Sequence, residues 1–242
     1  MLNSLKESLT FVSQHVQMKP EIGIILGTGL GGLIEQMDIS NTLSYTDIPH
    51  FAQSTVESHS GKLHFGTIRG KEIVAMQGRF HYYEGYSMKQ IVFPVYLMKM
   101  LGVNKLVISN AAGNMNMDWK KGDLMLMEDH ISLFPDNPLR GVNDDSLGPR
   151  FPDMSEAYDR KMNQIALEQA ASLDITLRKG VYVGVPGPNL ETAAEYRFLR
   201  KIGADVVGMS TIPENIAANH CGLRCMAISV LTDDCDPDNL AP

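Results

Sequence analysis

Ile22-Gly23-Ile24-Ile25-Leu26 runs directly into Gly27-Thr28-Gly29-Leu30-Gly31-Gly32, and this junction decides the fold class. A short apolar run without polar interruption is the pattern of a strand buried on both faces. A glycine cluster at its carboxyl end, leading into a helix, makes the opening of an α/β unit. Upstream, Leu5, Leu9, Val12 and Val16 form a helical stripe that stops before Pro20. Downstream, past a less regular stretch, Ser87 caps a helix carrying Ile91, Val95, Met98 and Leu101. Gly102 ends it, and Pro94 is predicted to kink or break it. Lys105 to Ser109 and Leu124 to Met127 are strand-like. Asp153 and Glu156 resemble a capping box for a helix through about Leu173. A strand at Val181 to Val185 follows, then a second capping box at Thr192 and Glu195 whose helix stops at Gly203. Val206 to Gly208 is a short strand, Pro213 opens a helix ending near Gly222, and Cys225 to Leu231 is the last strand. This alternation predicts one α/β domain over residues 1–242, a central mixed, largely parallel sheet flanked by helices. In such sheets ligands bind at the carboxyl ends of strands, here after Leu26, Ser109, Val185, Gly208 and Leu231.

Composition narrows the partners. Hydrophobic residues make up 44% of the chain and charged residues 20%, the balance of a folded soluble protein. The formal charge of −7 argues against nucleic acid, which favours a basic face, but leaves room for a small phosphate ligand held by local donors. Cys221, Cys225 and Cys235 are odd in number and wrongly spaced for a four-ligand zinc site, so they read as buried or idle thiols. No run reaches membrane-span length and no signal peptide opens the chain, so a cytoplasmic protein is expected.

Taken literally, Gly27 to Gly32 satisfies the dinucleotide fingerprint. That reading needs a second strand ending in an acidic residue about 20 residues on. The chain offers Ser44-Tyr45-Thr46-Asp47-Ile48-Pro49, with no apolar run before Asp47, which argues against it. The loop keeps its physical content regardless: small residues expose backbone N–H groups, and Thr28 adds a hydroxyl, a combination that cradles an anion. A second anion clue is Gly78-Arg79-Phe80-His81-Tyr82-Tyr83-Glu84-Gly85. In an extended segment Arg79 and His81 project to the same side, and Glu84 is placed to orient the imidazole. The plainer alternative is a surface Arg–Glu pair beside a packed histidine.

Four further stretches follow in order: Ser109-Asn110-Ala111-Ala112-Gly113, Asp129-His130 through Asn137-Pro138-Leu139 to Arg150-Phe151-Pro152, Gly187-Pro188-Asn189-Leu190-Glu191-Thr192, and Gly208-Met209-Ser210-Thr211. With the two earlier motifs, from about residue 20 to residue 234, the chain resembles the trimeric purine nucleoside phosphorylase family. The resemblance implies the nucleoside phosphorylase fold and phosphorolysis of purine (deoxy)ribonucleosides to base and (deoxy)ribose 1-phosphate. It implies phosphate contacts from Thr28, His59, Arg79, Phe80, His81, Ala111 through its backbone, and Ser210. It puts Tyr83, Phe151 and Met209 at the sugar, and Leu190, Glu191 and Asp233 at the base. Phe151 would reach over the sugar of a neighbouring subunit in a homotrimer. Without the family, Tyr83, Met209 and Phe151 would read as core residues, Ser210 as a helix cap and His59 as a solvated loop residue.

Phosphate itself would attack the anomeric carbon, so no cofactor, metal or protein nucleophile is expected. His81, Glu84 and Asp233 are the candidate catalytic residues, the last by donating to N7 of the departing purine. Two departures qualify this. Leu190 stands where many relatives carry phenylalanine, and Thr232-Asp233-Asp234 replaces the usual Thr-Asn. An ionised aspartate only accepts, which suits the 6-amino group of adenine. Burial among apolar neighbours would let it keep a proton for N7. Enzymes acting on 6-oxopurines and accepting adenosine as well are therefore expected, with either Asp233 or Asp234 reading the base. The family usually continues some tens of residues past Pro242, through a histidine near the sugar 5′-hydroxyl, and no residue is assigned to that role. The competing readings are a methylthioadenosine phosphorylase and a non-catalytic nucleoside-binding relative.

Overall fold

The computed structural model describes residues 1–27, 29–53 and 61–239. Among these, nine strands form one sheet in the order β2-β3-β4-β1-β5-β8-β7-β6-β9, with β5 also paired to β9. Strand β1 (Ile22–Leu26) lies parallel between β4 (Lys71–Gln77) and β5 (Lys105–Asn114). Having a strand on each side and side chains packed on both faces explains its unbroken apolar run. β2 (Asp38–Ser44) and β3 (Lys62–Ile68) extend that edge antiparallel. At the other end β5, β8 (Val206–Gly208), β7 (Leu177–Gly184), β6 (Leu124–Ser132) and β9 (Arg224–Asp234) pair in a closed ring. The β1–β4, β1–β5, β5–β9, β6–β7 and β7–β8 pairings are parallel and the others antiparallel, so the sheet is mixed and mostly parallel.

Five α-helices cover the described part of this sheet: α1 (Leu2–His15), α2 (Met88–Leu101), α3 (Arg160–Ser172), α4 (Ala193–Lys201) and α5 (Ile212–His220). The largest apolar core joins α1, α2 and α5 to the strands through residues such as Leu5, Val92, Leu97, Leu106 and Ala217. Met162 of α3 packs on Leu126 and Met226, and Tyr196 and Leu199 of α4 pack on Val183 and Val207.

Several expectations change in detail. Pro94 does not break α2, which runs unbroken between its Ser87 cap and left-handed Gly102. Ile91 to Met98 are all buried, and packing of that size outweighs the roughly 3 kcal/mol penalty of an interior proline. The helix expected after Asp153 begins later, at Arg160, capped by Asp159, whose carboxylate accepts from Met162 N at 2.7 Å. Asp153 instead closes a turn on Ser155. The glycine loop leads into a 3-10 helix, Gly31–Gln36, rather than an α-helix. Asp47 sits in a turn beyond edge strand β2. The dinucleotide reading needs an α-helix after the loop and an acid ending a strand beside β1, and the structure has neither.

Candidate active site

The carboxyl ends of β1, β4, β5, β8 and β9 surround one cavity of about 210 Å³. Gly27 closes its floor by backbone approach: a Cβ there would stand 2.7 Å from both the Asn110 Cα and the Ser109 carbonyl oxygen. Only glycine lets the loop after β1 lie against β5 so closely.

After β4, Gly78 (φ 109°) turns the chain, and His81 is extended. Arg79 and His81 accordingly line the cavity. Phe80 points the opposite way into an aromatic cluster, with ring centroids 5.4 Å from Tyr45 and 5.7 Å from Tyr86. The phosphate contact expected of Phe80 thus has no basis in its side chain, which is core.

Arg79 is 1% exposed. Its guanidinium donates to Ser210 Oγ at 2.8 Å, Thr211 Oγ1 at 3.1 Å and the Ser109 carbonyl at 2.6 Å. Behind it, 3.8 Å from Nε, stands Glu214, whose carboxyl is 3% exposed. Burial raises the Glu214 pKa and the Arg79 charge opposes that rise. Breaking such a pair by removing one partner typically destabilises by about 3–5 kcal/mol. The hydroxyl of Thr211 also accepts from Asn110 Nδ2 at 2.9 Å. Thr211 adopts φ 69°, a conformation β-branched residues avoid, at the entry to α5. Backbone strain of this kind costs on the order of 1–3 kcal/mol and gathers where a site must be held in one geometry.

One oxygen of Glu84 accepts from the His81 backbone N and from its ring Nδ1, both at 2.8 Å. The carboxylate only accepts, so Nδ1 carries the proton. The orienting role expected of Glu84 is therefore visible in the geometry. Tyr83 stacks on the imidazole, centroids 4.7 Å apart and planes 16° from parallel. Burial and then the Glu84 charge raise the Tyr83 pKa.

Met209, Leu190, Glu191 and Asp233 continue the lining away from Arg79, and Ala111 lies between the two ends along β5. Gly187 (φ 63°) lies against the Met209 thioether, where any side chain would collide. Leu190 is 77% exposed. Asp233 faces the cavity, whereas Asp234 is held elsewhere by Asn114 Nδ2 at 3.0 Å. Asp233 is exposed and accepts from the Thr232 hydroxyl at 2.9 Å, so the apolar burial expected around it is absent. Phe151 is outside this cavity and 87% exposed, with the Arg150 guanidinium 5.5 Å from its ring centre. Thr28 and His59 lie outside the described residues.

Sequence reasoning passed over Asn110, Tyr196, Thr211, Glu214 and Cys235. Glu214, in the first turn of a helix opened by Pro213, looks like an ordinary dipole-favouring acid. Only the structure shows that this turn lies beneath Arg79. Cys235 is a buried thiol, as expected, but it also lines the cavity. Among the described residues no group of His, Cys, Asp and Glu could hold a metal ion, and no helix is long and apolar enough to cross a membrane.

The profile of the phosphorylase superfamily matches residues 21–241. The purine nucleoside phosphorylase 1 of Bacillus subtilis is 49% identical over 96% of this chain and 86% of its own. The purine nucleoside phosphorylase of Mus musculus is 48% identical over 91% and 78%. Among solved structures, a Schistosoma purine nucleoside phosphorylase with hypoxanthine superposes at a TM-score of 0.94, with 42% identity over 99% of this chain and 88% of that one. A Schistosoma mansoni structure with adenosine gives 0.93, with 42% identity and the same coverage. Sequence, fold and cavity agree: the chain belongs to the phosphorylase superfamily, within its purine nucleoside phosphorylases.

Proposed function

We propose that the Arg79 end of the cavity holds phosphate and that the nucleoside lies from there toward Asp233, its sugar against Tyr83 and Met209 and its base against Leu190, Glu191 and Asp233. The activity, phosphorolysis of purine nucleosides by a pentosyltransferase, comes with the family; the residue roles are our reading. The observation that carries them is the buried guanidinium of Arg79, fixed by Ser210 and Thr211 beside an imidazole locked by Glu84. Ser210 Oγ, Ala111 N and, from outside the described residues, Thr28 and His59 complete the phosphate set.

Phosphate is the nucleophile. As the C1′–N9 bond breaks, electrons move to the purine and the sugar gains oxocarbenium character, as in glycoside hydrolysis. A phosphate oxygen then bonds to C1′. An anion held beside the developing cation stabilises it, so fixing phosphate in place serves catalysis as well as binding. Glu191, with two acceptor oxygens, suits the N1–H of a 6-oxopurine and the 2-amino group of guanine. Exposed Asp233 suits the 6-amino group of adenine as an acceptor, which supports acceptance of adenosine beside inosine and guanosine. Incubating the protein with inosine tests the reading: hypoxanthine must appear with phosphate and not without it.

A second element of the proposal is a cytoplasmic homotrimer in which Phe151 covers a neighbour's sugar site, and the exposure of this ring supports the subunit contact. A phenylalanine 87% exposed leaves apolar area in water that a subunit contact would remove. Sedimentation should give about three times the 26.7 kDa chain mass, and a fully active monomer would refute this element.

A further inference from the structure

Thr192 caps α4, accepting from Glu195 N while Glu195 returns a bond to Thr192 N at 2.7 Å. This reciprocal box fixes the angle at which the chain enters the helix. It brings together the side chain just before the cap and the one four positions after it, a pair that is usually apolar. Here those two positions are Glu191 and Tyr196. Tyr196 is 4% exposed, packed by Met115, Val183 and Val207, and it lines the cavity beside Glu191. Cys235, 6% exposed at the end of β9, reaches the same spot. Burial raises the Tyr196 pKa, and the neighbouring Cys235 and Glu191 act in the same direction. Burial likewise raises that of Cys235. Both groups keep their protons at neutral pH, and the phenol is the donor of the pair.

We propose that Tyr196 is a positioning residue for base selection: its hydroxyl donates to the Glu191 carboxylate, with the Cys235 sulfur beside it as a weaker acceptor that helps hold the phenol in place, and leaves the carboxylate's remaining lone pairs for the purine N1–H and 2-amino group. The proposal rests on the reading that Glu191 contacts the base. A carboxylate has about four acceptor sites, so one bond to Tyr196 does not compete with two to the base. A carboxylate at the mouth of a cavity otherwise rotates and is solvated, and holding it in advance removes that ordering loss from binding. The helix-entry contact, commonly a structural staple, is here converted into part of the recognition surface.

Tyr196→Phe keeps the ring and removes the donor. We expect kcat/KM for inosine to fall about tenfold, mainly through KM, because the lost bond is to a charged acceptor. The phosphate KM should not change. Purine riboside, which has no proton on N1, should keep its inhibition constant. Cys235→Ala should shift the inosine to purine riboside ratio the same way by about threefold, since it weakens only the group behind the phenol. Glu191→Gln separates the two levels of the argument. If it leaves the ratio unchanged, Glu191 does not read the base and both readings fall. If it changes the ratio while Tyr196→Phe and Cys235→Ala do not, only the positioning role falls. Equal losses on both ligands in Tyr196→Phe would mark a merely structural tyrosine and overturn the proposal. In the Glu191→Gln background, adding Tyr196→Phe should produce little further change in the ratio.

Discussion

The two ends of the cavity are built in opposite ways. At the Arg79 end the polar side chains are tied to one another: guanidinium to two hydroxyls, a carbonyl and a carboxyl, and imidazole to carboxylate. Arg79, Thr211 and Glu214 are 1%, 0% and 3% exposed. At the Asp233 end Leu190 is 77% exposed, Asp233 is exposed, and Glu191 is half-buried. A phosphate ion is the same in every turnover, so its site can be finished in advance at the expense of strain and buried charge. The base differs from substrate to substrate, and an open end tuned by a few side chains can change its choice without disturbing the fold.

The largest effects should therefore come from the buried end. Arg79→Ala removes a charged contact with phosphate and strands Glu214 without its counter-charge. With a charged bond worth about 1.5–3 kcal/mol and transition-state stabilisation lost with it, kcat/KM for phosphate should fall at least 100-fold. The affinity for free purine base should change little. Glu214→Gln is the sharper form of this experiment. It keeps the shape, removes the charge facing Arg79, and should raise the phosphate KM by about tenfold while lowering Tm. A phosphate KM that stays at the wild-type value in both variants would show that the buried network is only structural.

How much of this contrast was legible in the sequence follows from its physics. Strands β1 and β8 and the caps Ser87 and Thr192 stand where pattern and capping chemistry put them. Local residues alone determine such features. The β3–β4 hairpin is not legible in the sequence because its strands carry Lys62, His64, Lys71 and Glu72 among apolar residues and so have no clean period. Burial of His64 depends on Thr42 and Gln77, which bond its two ring nitrogens from neighbouring strands. Spacing placed Arg79 and His81 on one side, whereas Glu214 and Thr211 join them only through the return of the chain after β8. Phe80, which the resemblance places among the phosphate contacts, lies between two cavity-lining residues with its own ring packed in the core against Tyr45 and Tyr86.

Asp233→Asn probes the open end. The aspartate accepts and the amide both donates and accepts, so the variant should favour O6 of hypoxanthine and lose its preference for a 6-amino group. We expect the adenosine to inosine ratio of kcat/KM to fall by a factor on the order of 10–100 if one hydrogen bond decides it. Thermal stability should stay within about 0.5 kcal/mol, as is usual for an exposed side chain. Competition between the two nucleosides in one reaction measures the ratio directly. A ratio that does not move removes Asp233 from base selection. Asp234 is then the poorer substitute, because Asn114 already holds its carboxylate.

The smallest effect should come from Leu190→Phe, and it separates two ways of closing the open end. Leu190 precedes the α4 cap on the loop that also carries Glu191, and most of its side chain is in solvent. A phenyl ring there would not disturb the core. If Leu190 lies over the bound purine, an aromatic face adds about 0.5–1.5 kcal/mol of stacking, equivalent to a roughly 2–10-fold lower KM for every purine nucleoside. The gain should be alike for inosine and adenosine, since stacking does not distinguish a 6-oxo from a 6-amino group. It should leave kcat nearly unchanged, because a contact made equally in the ground and transition states does not speed the chemical step. Steady-state kinetics on both nucleosides reads all of this. An unchanged KM would mean that Leu190 does not cover the base. The open end would then have to be closed by another surface, and Phe151 of a neighbouring subunit becomes the group to remove next.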